Sequence, residues 1–151
     1  MIWLRGFALD KFNITAHVIA LAAAFALAIP IGWDREKRAR SAGLRTFPLV
    51  ALASCGFVQA SEGLLAHSPD GLAKVVEGLI TGIGFIGGGA ILKQGNSVQG
   101  TATAASLWAT GAIGVAVGLG SYDVAVTIAV FTFLTLRLLT LAKEEAEESG
   151  H

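Results

Sequence analysis

The strongest constraint on this chain is its uncharged stretches. Ile14 to Trp33, "ITAHVIALAAAFALAIPIGW", is 20 residues without a formal charge. A helix needs about 20 apolar residues to cross a bilayer. Four more stretches follow: Thr46 to Leu65, Leu72 to Leu92, Thr101 to Leu119 and Val124 to Leu141. Between the later ones lie "HSPDG", "KQGNSVQ" and "GSYD", rich in the residues that make turns. Short loops make consecutive helices antiparallel neighbours. The expectation is an all-α polytopic membrane protein, a bundle of five transmembrane helices spanning 14–33, 46–65, 72–92, 101–119 and 124–141. These form one domain over 1–142, followed by an acidic tail over 143–151, "KEEAEESGH".

The first stretch also resembles a signal peptide, since "ALA" looks like a cleavage site. Its apolar run is longer than the usual 7–15 residues, and a dense basic cluster follows it. Pro30, in its last turn, is expected to kink or end the helix.

Only 15% of the chain is charged, and seven charged residues crowd between Asp34 and Arg45. Arg35, Lys37, Arg38, Arg40 and Arg45 fall in this first loop, Lys93 in the third, and Arg137 and Lys143 near the end of the fifth helix. The other side has Arg5, Lys11 and Lys74. Basic loops stay in the cytoplasm. The N-terminus is therefore expected outside and the C-terminus inside. Trp3, Trp33 and Tyr122 suit interfacial anchoring, while Trp108 is expected to pack.

Several function classes are disfavoured. Net charge is zero, so nothing suggests nucleic acid. The single Cys55 permits neither an internal disulfide nor a thiolate zinc cluster. His17, His67 and His151 are scattered, and no nucleophile–base pair is visible, so neither an enzyme nor a cofactor is expected. Glu62 and Glu77, with Asp70 and Asp123, fall towards the outer ends of helices as a candidate weak metal site. The simpler reading is rim charges, with a Lys74–Glu77 pair on one helix face.

Glycines carry the remaining pattern. Gly78/Gly82, Gly84/Gly88 and Gly114/Gly118 are each four apart, which lets helix backbones approach. The triple Gly87-Gly88-Gly89 is a candidate helix break, which at membrane depth must be buried or line a wet cavity. Gly32, Gly43 and Thr46 recur as Gly89, Gly100 and Thr103, each 57 residues on. This suggests a parallel repeat in which helices 1–2 correspond to helices 3–4. In each copy a Gly-x-x-Thr opens a helix whose free amide groups favour an anion. Beside the basic first loop, that anion would be a lipid headgroup or a phosphate.

At these residues the chain resembles the MgtC/SapB family of bacterial inner-membrane proteins. The resemblance lies in "IGWDREKRARSAGLRT", "GIGFIGGGAILK" and "TATAASLWATGAIGVAVGLG", in order over roughly residues 29 to 120. Departures are Asp34 for a usual Glu, Ser41 for Pro, Phe47 for His, Gly88 for Ala, and Thr101-Ala102 for Leu-Thr. Several members carry a cytoplasmic C-terminal domain, so a short form is expected. The resemblance implies a protein of the bacterial inner (plasma) membrane, tied to growth in low magnesium and, in pathogens, to survival in macrophages. It implies regulation through membrane partners, including the ATP synthase. The alternative is a Mg2+ transporter or channel component. A homo-oligomer is also compatible.

The candidate functional cluster is Asp34, Arg35, Gly43, Leu44, Arg45 and Thr46, with Asp34 expected to pair with Arg45. The second motif is Gly84, Gly87, Gly89, Gly100, Thr103 and Trp108. Polar residues near the bilayer midplane separate a transporter from a regulator, and the chain has few: Ser54, Gln59, Thr81, Ser106 and Thr110.

Overall fold

The computed structural model describes residues 13–38, 42–65, 69–95 and 97–149. Five helices run in order: α1 (Ile14–Arg38), α2 (Thr46–Leu65), α3 (Pro69–Gly89), α4 (Thr101–Gly118) and α5 (Tyr122–Ser149). Between α3 and α4 stands a hairpin, β1 (Leu92–Gln94) with β2 (Ser97–Gln99). Trp3, Arg5, Lys11, Arg40, Ser41, His67 and His151 lie outside the described residues, as do the tail's side chains.

The bundle exposes large apolar side chains outside, and its core mixes apolar residues such as Ile31, Phe47 and Leu107 with small and polar ones. Phe85 is 86% exposed and Phe131 67%, while Ser106 and Thr110 are buried. In water such a surface would drive association. In lipid it is an ordinary exterior, and helices then pack through small residues. Within the described residues, α1, α3, α4 and α5 are each long and apolar enough to span a membrane. α2, at 20 residues, has the same reach of about 30 Å.

α4 is the central helix and packs on the other four. A Cβ on Gly114 would run into the Ala51 carbonyl and stand 2.8 Å from Ser54 Cβ. One on Gly118 would stand 2.7 Å from Val58 Cβ, and one on Gly111 would strike Ile83. Glycine thus brings α4 backbone-close to α2. α4 ends at Gly120, φ 77°, where Gly120 N–H donates to the Val117 carbonyl and Ser121 N–H to that of Ala116, both bonds of a Schellman cap. α1 offers a stripe of Ala20, Ala24, Ala28 and Ile31, all buried. It starts at Asn13, whose Oδ1 accepts the Ala16 N–H at 3.2 Å.

Three boundaries differ from expectation. α1 continues five residues past Trp33, straight through Pro30, and Asp34 and Arg38 pair one turn apart within that extension. α5 continues to Ser149, so the tail extends the helix. α3 starts at Pro69 and stops at Gly89. There Ala90 and Ile91 N–H bond the Gly87 and Gly88 carbonyls three residues back. The glycine triplet is therefore a helix terminus and not a break within a helix.

The connection expected as a plain loop after α3 is the antiparallel hairpin, with Leu92 opposite Gln99 and Lys93 opposite Val98. Gly100 follows at φ 87°, and a Cβ there would also collide with the Ala90 carbonyl.

The packing is arranged as a parallel repeat would arrange it. α1 lies on α2 and α3 on α4, α2 and α4 meet in the middle, and α1–α4 matches α2–α3. A Cβ on Gly32 would stand 3.2 Å from Phe47 Cβ, and one on Gly87 would stand 3.3 Å from the Ala104 carbonyl. Phe47 and Ala104 are 57 residues apart. The packing counterpart of Gly32 is thus Gly87, whereas Gly89 faces open space. α5 is the odd helix, packed on α1 and α4.

Candidate functional site at the basic end

The end of α1 holds five consecutive charges, Asp34-Arg35-Glu36-Lys37-Arg38. Helical rotation sends them to different partners. Asp34 and Arg35 turn inward and are 4% and 6% exposed. Asp34 Oδ2 accepts from Arg35 Nη2 at 2.5 Å and from Nε at 3.2 Å. Arg38 Nε stands 3.4 Å from Asp34 Oδ1, and Arg137 Nε of α5 stands 4.0 Å from the same oxygen. One carboxylate therefore faces three guanidiniums. In a partly buried place such a carboxylate holds together cations that would otherwise repel.

Glu36 points the other way. Its Oε2 accepts the Leu44 N–H at 3.0 Å. Thr46 and Phe47 N–H donate to the Gly43 carbonyl at 3.0 and 3.2 Å. The turn leading into α2 is thus held by the chain's own carboxylate. Glycine suits this position because a Cβ would overlap the Glu36 carboxylate and push it off the Leu44 N–H.

Lys37 Nζ lies 5.2 Å from the centre of the Trp33 ring, one turn below it, and Arg137 lies 5.9 Å from that of Phe133 in the same relation. These pairs, with Pro30, Asp34 and Arg38, line a cavity of about 460 Å³ between α1 and α5.

Arg45 and Thr46 are elsewhere. The expected Asp34–Arg45 pair does not form, because Asp34 is taken by Arg35, Arg38 and Arg137. Arg45 is exposed and makes no ion pair among the described residues. It sits with Thr46 at the basic end of a groove of about 490 Å³ between α2 and α3. Gly78 and Gly82 line that groove, with nothing within 4 Å of where a Cβ would be.

The second motif divides likewise. Gly87, Gly100 and Thr103 are at the α3–α4 junction, Thr103 buried. Gly84 and Gly89 are open. Trp108, expected to pack, is 51% exposed and lines a smaller cavity of about 290 Å³ among α3, α4 and α5. Glu62 and Glu77 are both exposed, and among the described residues Lys74 and Glu77 make no ion pair. Among the described residues no three His, Cys, Asp or Glu side chains gather to hold a metal.

Sequence alone does not mark Glu36, Lys37, Arg38, Phe133 and Arg137 as site residues. The available signal was spacing: Asp34/Arg38, Trp33/Lys37 and Phe133/Arg137 are all four apart. That α1 and α5 bring them together was not readable.

Comparison with known proteins agrees with the motifs. The MgtC family profile matches residues 21–144. The chain is 36% identical to Protein MgtC of Salmonella typhimurium over 138 residues, 91% of this chain and 57% of that protein. It is 42% identical to Protein MgtC of Brucella abortus over 125 residues, 82% of this chain and 52% of that protein. It thus spans about half the length of the curated relatives it matches. No solved structure matches it. A profile covering most of the chain, relatives at this identity and a bundle of membrane-length helices lead to one conclusion: the chain belongs to the MgtC family of multi-pass membrane proteins.

Proposed function

We propose that the chain is a regulator in the bacterial inner membrane, with its basic end and C-terminus in the cytoplasm. It helps cells adapt to low magnesium or related stress by packing against a transmembrane helix of a partner such as the ATP synthase. The supporting observation is the groove between α2 and α3. α5 fills the groove between α1 and α4. Exchanging α1 with α3 and α2 with α4 turns that filled place into the α2–α3 groove. Among the described residues no helix fills that groove, and Gly78 and Gly82 leave room for a backbone to approach. A helix from another protein is the occupant with the right shape. Arg45 at its basic end is placed to pair with an acidic residue at that helix's end.

The competing reading, a divalent-cation pathway, draws less support. Thr81, Ser106 and Thr110 hydroxyls donate to carbonyls of their own helices. A pathway would turn oxygen ligands towards an ion.

The test is reconstitution with ATP synthase in liposomes. The chain should lower ATP-driven proton pumping, and Gly82→Leu, which fills the groove, should restore it. Saturable magnesium flux by the chain alone would overturn the reading, as would inhibition unaffected by Gly82→Leu. Groove-dependent self-association without any effect on pumping would assign the groove to a second copy instead.

A further inference from the structure

We infer that the cavity between α1 and α5 is a binding site for one anionic phospholipid, held by its phosphate. The cavity is layered. Pro30, Trp33 and Phe133 form its deeper, apolar part. Lys37, Arg38 and Arg137 form its outer rim, one to two turns further along the same helices. Pro30 to Lys37 is seven residues, about 10 Å of rise. An amphiphile with an acyl chain below and an anion above has that shape.

The charge points the same way. Among the described side chains Asp34 is the acidic residue lining the cavity, against Lys37, Arg38 and Arg137, with buried Arg35 behind it. Glu36, the next acid along α1, is turned away onto Leu44. Arg137 is half-exposed, stands 4.0 Å from Asp34 and donates no hydrogen bond among the described residues. Its planar fork is available for a phosphate. Lys37 and Arg137 are both propped over rings, which orders them before a ligand arrives. A free phosphate could use the same rim, but it has no use for the apolar floor. That floor is why the lipid is preferred.

This site is distinct from the α2–α3 groove and stands or falls separately from the partner reading. The test is native mass spectrometry of the full chain in detergent with added phosphatidylglycerol or phosphatidylcholine. Phosphatidylglycerol should be retained in preference to phosphatidylcholine. Arg137→Gln and Lys37→Gln should each lower its retention about fivefold, the effect expected of one cation at an anionic surface. Lys93→Gln, a cation on the hairpin at the same end, should leave retention unchanged. Lys37 is at the surface, so its variant reports even if Arg137→Gln folds poorly. Equal retention of both lipids would overturn the inference, as would an equal loss in Lys93→Gln. Displacement of the lipid by millimolar glycerol 3-phosphate would show that a soluble phosphate is the ligand, and would overturn the lipid assignment.

Discussion

Glu36 holds the turn that leads into α2 by accepting the Leu44 N–H at 3.0 Å. An acid embedded in a basic run thus acts as a clasp between α1 and α2 across the intervening loop. Carboxylates suit this place because the first amide groups of a helix have no intrahelical partners.

That clasp predicts a coupling. Glu36→Ala should cost about 1 kcal/mol, as loss of a helix cap does. Gly43→Ala should cost more, since its Cβ overlaps the Glu36 carboxylate. In the Glu36→Ala background much of that extra cost should vanish. Thermal unfolding of the four proteins in detergent forms a double-mutant cycle. Additive effects would show that the two residues do not meet.

Asp34 and Arg45 should separate stability from function. Asp34→Ala leaves buried Arg35 without its carboxylate, at a cost of about 3–5 kcal/mol. Arg45→Ala removes an exposed side chain without an ion pair, so stability should shift by less than about 0.5 kcal/mol. Arg45→Ala should nonetheless abolish inhibition of proton pumping while the protein inserts at normal levels. Full inhibition by that variant would remove Arg45 from the site.

The glycines should fall into two classes. Gly114→Ala and Gly118→Ala force α4 off α2 and should cost about 1–3 kcal/mol or more. Gly82→Ala meets open space and should be neutral, or stabilising by up to about 1 kcal/mol through helix propensity. Denaturant titration of the purified variants measures this. Equal destabilisation of all three would mean that the open positions are covered.

Gly100 and Gly95 should differ although both have positive φ. Gly95→Ala, φ 59° with open space, should cost about 1–2 kcal/mol. Gly100→Ala adds a collision with the Ala90 carbonyl and should lower folded yield sharply. Comparable melting temperatures for the two variants would contradict the close approach.

Five helices and a basic end were legible in the sequence, and within the described residues four of the helices are long and apolar enough for a membrane. Those properties depend on composition within single stretches, which lipid judges one segment at a time. The sequence also carried the 57-residue echo and the motifs of the family. Tertiary structure decided who meets whom. Asp34 and Arg137 are 103 positions apart, and only the packing of α5 on α1 brings them together. The five charges after Trp33 read as one basic loop because their helical rotation was unseen; in three dimensions Asp34, Glu36 and Lys37 each face a different neighbour. The hairpin was hidden because three-residue polar strands leave almost no periodic signal. The glycine triplet showed a weak helix but not its depth. Composition sets where a segment can lie, while helix register and packing set which side chains share a site.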